Sequence, residues 1–154
     1  FSTLHTNDAP SAVMRLIELG VPDYLLEATL IGVMAQRLVR TLCPACKEPG
    51  GELSDEVWQS IGGAWKIDKP ATVYRPVGCP ECRQTGYRGR TGIYELLTVS
   101  DGFGRLLRES GDIQALRRQS VADGMKPLRI AGAMKVVEGV TTADEVLKVT
   151  SALS

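Results

Sequence analysis

Cys43-Pro44-Ala45-Cys46 and Cys79-Pro80-Glu81-Cys82, with 32 residues between them, hold every cysteine of the chain. Each pair reads Cys-Pro-x-Cys and is followed at once by a cation, Lys47 in the first and Arg83 in the second. A short CxxC pair folds into a knuckle that presents two sulfurs, and two knuckles at this separation supply the four ligands of a tetrahedral zinc ion. Four thiolates around Zn²⁺ leave a formal charge of about −2, which Lys47 and Arg83 can offset. Four sulfurs leave no position for water, so the spacing predicts a structural, not a catalytic, site at Cys43, Cys46, Cys79 and Cys82. Two disulfides, or a CPxC couple for thiol exchange, are the other readings of the same residues.

Around the knuckles lies an ordinary globular composition: 154 residues, 44% hydrophobic and 23% charged, enough for one domain or one with a small appendage. The 18 basic and 18 acidic residues cancel, which removes any global pull towards nucleic acid or an anionic membrane. The longest apolar run, around Ala28 to Ala35, is about half of a membrane span, and no signal peptide precedes it. The expectation is a soluble protein, cytoplasmic by default because metal-binding thiols need a reducing compartment. The chain opens on Phe1-Ser2-Thr3-Leu4 and its first methionine is Met14, which reads as a piece of something longer.

Residues 1–4 alternate like a short strand, and His5-Thr6-Asn7-Asp8 reads as the loop leaving it. Asn7 or Asp8 caps a helix with Pro10 in its first turn, an apolar stripe at Val13, Leu16 and Ile17, and a stop at Gly20. A second helix starts at Pro22. No charged side chain occurs from Ala28 to Gln36, which predicts a buried helix running to about Leu38, with Gly32 allowing close approach of another element. Val39 to Leu42 is then extended and feeds the first knuckle.

Between the knuckles the sequence suggests a small module of its own. Ser54 caps a helix with Val57 and Ile61 on one face and Gly62-Gly63 at its end, while Trp58, Trp65, Val73 and Tyr74 supply further apolar mass. Those aromatic residues face either a partner or the module's own core. So small a segment buries little, and a metal contributes about 10 kcal/mol to folding at such sites.

After the second knuckle a glycine- and arginine-rich loop leads to a strand over Ile93 to Leu97. The simplest topology pairs that strand with Val39–Leu42 and places the knuckles at adjacent strand ends. From Ser100 the signals are helical. Leu106 and Leu107 precede a stop at Ser110-Gly111; Asp112 caps a helix reaching Gly124; Pro127 opens another ending at Gly139; and Thr142-Ala143-Asp144-Glu145 matches a capping box. Four such helices are expected to make one bundle.

No catalytic set is visible. The chain has one histidine, scattered carboxylates, and no Gly-x4-Gly-Lys-[Ser/Thr] cradle, since none of its six lysines follows a glycine. His5 stands out only by position, at a strand end before a helix, where α/β folds place ligands. A helix cap beside a surface imidazole explains the same residues.

Phe1-Ser2-Thr3-Leu4-His5-Thr6-Asn7-Asp8 resembles the histidine box of the type II secretion and type IV pilus assembly ATPases. The likeness continues through Gly32-Val33-Met34-Ala35-Gln36-Arg37-Leu38-Val39-Arg40, both CxxC pairs, Gly86-Tyr87-Arg88-Gly89-Arg90-Thr91-Gly92-Ile93 and Gly139-Val140-Thr141-Thr142. The resemblance implies an α/β fold: the C-terminal part of a RecA-like P-loop NTPase domain, with an inserted four-cysteine zinc-binding subdomain and a C-terminal helical bundle. The boundaries it implies are 1–42 for the ATPase core, 43–82 for the zinc-binding insertion, 83–99 for the returning loop and strand, and 100–154 for the bundle.

The same resemblance implies a parent that binds ATP and Mg²⁺ and turns over as a homo-hexameric ring. Such a parent works at the cytoplasmic face of the bacterial inner membrane, peripheral to it through secretion or pilus platform proteins. It implies that the Walker elements precede Phe1, so that this stretch alone is inactive, and that His5 couples nucleotide state to domain movement. Arg37, Arg40, Arg88 and Arg90 are candidates for contact with a neighbouring subunit's phosphates, or else are solvated or offset the thiolates. A zinc-ribbon module using Lys47, Arg83, Arg88 and Arg90 on nucleic acid is the alternative, disfavoured by pI near 6.8 and few aromatics. A CPxC thiol oxidoreductase is the third reading.

Overall fold

Polar residues start helices where local chemistry demands them. In the computed structural model, which describes residues 2–51, 53–62, 65, 67–109 and 111–151, Asp8 accepts the Ser11 N–H to open α1 (Ala9–Glu18). α2 spans Asp23–Thr29 behind Pro22, and Ser54 opens α3 (Asp55–Ile61) by accepting from Val57. The Ser100 hydroxyl accepts from Phe103 at 3.0 Å at the head of α4 (Asp101–Glu109). Asp112 caps α5 (Ile113–Ala122), α6 (Leu128–Val137) follows Pro127, and Thr142 caps α7 (Ala143–Val149). Phe1, Gly63 and Ser110, on which the expected opening strand and two helix stops partly rest, lie outside the described residues.

The strands are β1 (Gly32–Leu42), β2 (Glu48–Gly51), β3 (Val73–Arg75) and β4 (Tyr87–Thr98). β1 pairs with β4, and β2 with β3. Gly32 lies against Leu97 and Cys43 N–H bonds Gly86 C=O at 2.9 Å, so β1 and β4 run in opposite directions. The two strands expected to pair do so, but in a different register: with Cys43 beside Gly86 and Gly32 beside Leu97, Val39–Leu42 lies opposite the start of β4 and Ile93–Leu97 opposite the start of β1.

The helix expected through residues 28–38 is a correction. α2 stops at Thr29, and Gly32 begins a strand in which Val39 is buried while Met34 and Leu38 stay 63% and 48% exposed. An uncharged run fits a buried helix or a strand equally in periodicity. Long-range pairing decided it. A Cβ at Gly32 would sit 2.6 Å from the Leu97 carbonyl oxygen, so the glycine serves strand pairing and not helix packing. Residues 2–4 are exposed and not a strand; among the described residues nothing pairs with them, and an extended segment without a partner gains no ladder bonds.

By internal contacts the chain divides into two units, Phe1–Ala35 with Tyr94–Pro127, and Gln36–Ile93 with Leu128–Ser154. The first has a core of Ala9, Val13, Leu26, Leu97, Phe103, Leu107, Leu116 and Met125. Helices α4 and α5 pack on each other and on α2 and α1 here. In the second, Trp58, Ile61 and Val73 pack against Ala133, Val136 and Val146. The stretch between the knuckles thus shares its core with α6 and α7, and Trp58, 4% exposed, is an interior residue. The last four helices fall as two pairs, α4 with α5 and α6 with α7, because the stripes at Phe103, Leu107 and Leu116 meet α1 and α2 residues while those at Ala133 and Val146 meet α3.

The capping box at Thr142 is half formed. Thr142 Oγ1 accepts the Glu145 N–H, but the Glu145 carboxylate goes to Arg40, taking Nε at 2.9 Å and Nη2 at 2.6 Å. The Arg40 guanidinium also lies 4.0 Å from the Tyr87 ring centre. Hydrogen bonding by Arg40, with Lys148 adding to it against the cost of burial, holds the Glu145 carboxyl down at about 2. A carboxyl depressed from 4.5 contributes stability that is complete above that value and is lost as pH falls towards 2. With Arg40 45% exposed, solvent screening leaves about 1–2 kcal/mol. The thermal midpoint of the second unit is expected to fall more steeply between pH 5 and 2.5 in the wild type than in Glu145→Gln, and parallel titrations would remove this pair from the acid response.

Candidate metal centre and the histidine loop

Cys43 ends the run from β1 and Gly86 precedes β4, and the bond between their backbones brings the two knuckles to one place. Each knuckle is a tight turn: Cys46 and Lys47 N–H groups bond the Cys43 carbonyl at 3.3 and 2.9 Å, and Cys82 N–H bonds that of Cys79 at 3.2 Å. Arg83 and Gln84 follow with φ of 54° and 62°, left-handed values that turn the chain back over the sulfurs. Gly86, at φ +75°, could not carry a side chain, because a Cβ would collide with Pro76.

The four sulfurs lie within 4.8 Å of one another. Cys43 to Cys79 is 3.9 Å, and Cys46 to Cys82 and Cys79 to Cys82 are 3.8 Å. A tetrahedron with metal–sulfur bonds of about 2.3 Å has edges of about 3.8 Å, which these three distances match, so the four side chains are grouped to hold a metal ion. A disulfide needs about 2.05 Å, and all four cysteines are free.

What touches the sulfurs is backbone. Gly78 N–H donates to Cys46 at 3.3 Å, and Cys79 and Gly86 N–H both donate to Cys82 at 3.2 Å. Burial opposes ionisation of Cys82, but those two donors bring its thiol down to about 6. Burial, with three neighbouring sulfurs adding to it, pushes Cys46 up to about 11 in spite of Gly78. Lys47, expected to offset the thiolates, donates to the Gly139 carbonyl at 2.8 Å and lies 4.6 Å from the Tyr74 ring centre. The backbone N–H groups of Gly78, Cys79 and Gly86 are the donors that sequence reasoning missed.

His5 belongs to the first unit, exposed in the loop before α1. The loop's far end is anchored at three points. Asp8 Oδ1 accepts Ser11 N–H at 2.8 Å, Asp8 Oδ2 pairs with Arg117 at 2.6 Å, and Ala9 N–H donates to Glu95 Oε1 at 2.8 Å. Burial works against the Asp8 charge, yet hydrogen bonds from Ser11 and the Arg117 guanidinium hold its carboxyl below the usual range. Two carboxylates, of Asp8 and Glu95, thus already accept N–H groups at the positive end of α1.

The four arginines part company. Arg40 is committed to Glu145 and Tyr87, Arg88 pairs with Glu81 at 3.0 Å between exposed side chains, and Arg37 Nη1 donates to the Gln36 carbonyl. Arg90 is exposed, and no described residue engages it.

The family model described as Type II/IV secretion system protein matches residues 1–148. The chain belongs to this family. Over 148 residues it is 49% identical to the type IV pilus assembly ATPase TfpB of Acinetobacter baylyi, covering 96% of the chain and 25% of that protein. Over 151 residues it is 47% identical to the type II secretion system protein E of Pseudomonas aeruginosa, covering 97% and 29%. The type IV pilus assembly ATPase PilB of Myxococcus xanthus is 40% identical over 146 residues, covering 95% and 26%. This secretion-family chain therefore spans between a quarter and three-tenths of the curated relatives it matches. Among its described residues no helix is long and apolar enough to cross a membrane.

Replacing one sulfur should open the cluster, and straining its frame should loosen it. Cys46→Ser is expected to abolish metal retention through dialysis against a competing chelator. Gly86→Ala should weaken it about tenfold or more, as read by metal per chain. Full retention by both variants would rule out the four-sulfur site.

Proposed function

We propose that this chain is the C-terminal part of a motor ATPase of the secretion and pilus-assembly class, in which ATP turnover with Mg²⁺ drives pseudopilus or pilus assembly. The observation that carries the reading is the identity of 47–49% to proteins named for those systems across nearly the whole chain. In this proposal the described α/β units are the trailing portion of a RecA-like core. The parent is a homo-hexamer at the cytoplasmic face of the inner membrane, held there by platform proteins. Zinc is the metal at Cys43, Cys46, Cys79 and Cys82, since sulfur-only ligation with 3.8–3.9 Å edges suits it.

Zinc with four sulfur ligands has a fixed shape and no open position, so its part is to fasten β1 and β4 to the intervening lobe. No Gly-x4-Gly-Lys cradle lies in the 154 residues, so the proposal places phosphate binding elsewhere in the longer protein. His5 is the reporter of nucleotide state. An exposed imidazole can hydrogen-bond a phosphate oxygen or a carboxylate in one state and lose it in the next. Among the arginines, Arg90 is best placed for a neighbour's phosphate, being the one no described residue engages.

His5→Ala in the full-length protein is expected to lower ATP turnover about tenfold, the loss of one hydrogen bond worth about 1.4 kcal/mol in the transition state, with zinc unchanged at one per chain. Wild-type turnover in that variant would take His5 out of the mechanism.

A further inference from the structure

We propose that Glu95 and Arg117 are positioning residues for His5, a pair of clamps that fix the start of α1 so that the imidazole is presented in one place. This rests on the reading of His5 given above.

Glu95 is the anomaly that points to it. On β4 it occupies the inward phase between Ile93 and Leu97 and is 3% exposed, as buried as its apolar neighbours. A carboxylate so placed is costly unless bound. Its Oε1 accepts the N–H of Ala9, 86 residues away in sequence, at the first residue of α1. Ala9 is itself fully buried, so water cannot take over that N–H. Without the carboxylate the end of the helix would have to shift to find a partner.

Arg117 acts on the adjacent residue from the other side. From α5 its Nη2 reaches Asp8 Oδ2 at 2.6 Å and Ser11 Oγ at 3.3 Å, joining the cap and the first turn of α1 to a second element. Asp8, at φ −146° and ψ 171°, is the last extended residue before the helix. His5 lies three residues further back, within about 10 Å along an extended chain. Its placement therefore depends on where Asp8 and Ala9 are held, and an error of about 1 Å at a reacting group can cost 10²-fold. A helix cap alone does not require this: Asp8 already caps the helix by accepting from Ser11. The clamps add attachments, to β4 and to α5, that fix where the capped end sits.

The test is a double-mutant cycle on ATP turnover of the full-length protein. Glu95→Ala is expected to lower kcat five- to tenfold with KM for ATP changed less than twofold, and Glu95→Gln, which keeps the acceptor oxygen, to restore most of the loss. In a His5→Ala background Glu95→Ala should cost less than twofold further, because there is no imidazole left to misplace. An equal loss in both backgrounds, or no loss in the first, overturns the positioning role while leaving His5 in the mechanism. A silent His5→Ala overturns the functional reading and this one together. Should Glu95→Ala fail to fold, Arg117→Ala gives the same cycle from a less buried site, with Arg117→Lys as its rescue.

Discussion

A single backbone hydrogen bond, Cys43 N–H to Gly86 C=O, sits at the point on which the second unit turns. It is the last rung where β1 ends and β4 begins, and it brings the knuckle that follows one strand to the knuckle that precedes the other. The pairing of β1 with β4, and the Gly78 N–H on Cys46, hold the two turns there. The tight left-handed stretch at Arg83 and Gln84 and the side-chain-free Gly86 exist to make that meeting possible. The same constraint explains why the sulfurs are served by amides: a backbone folded this closely over Cys82 necessarily aims N–H groups at it.

In both units, buried or half-buried carboxylates are met by groups from distant elements. Glu145 takes Arg40; Asp8 takes Arg117; Glu95 takes the head of α1. These contacts join segments that are far apart in sequence, and each would be of small value on the surface. Their placement away from solvent is what lets them fix position.

Much of this was legible in the residues. The CxxC spacing set the sulfur cluster, and Asp8, Ser54, Asp112 and Thr142 announced their helices because capping is a local bargain between a side chain and the next few amides. What local chemistry could not settle was the run from Ile31 to Gln36, whose uncharged residues suit a helix in isolation and became a strand because β4 was available to pair. Glu145 shows the same limit, its capping signature overridden by an arginine 105 positions away. Trp58 reads either as part of the small module's own core or as facing a partner, and it is part of a core completed by α6 and α7. Glu95 was readable in hindsight as a charge in the apolar phase of an alternating strand, though its partner was not.

The interlacing of the second unit has a consequence for birth order on the ribosome. All four thiols have been synthesised by residue 82, whereas Ala133, Val136 and Val146, which enclose Trp58, come only with the closing helices. During that interval the nascent chain owns a complete set of metal ligands and an indole still lacking its neighbours from α6 and α7, so an ion captured early would hold the lobe's two ends together until those helices are translated.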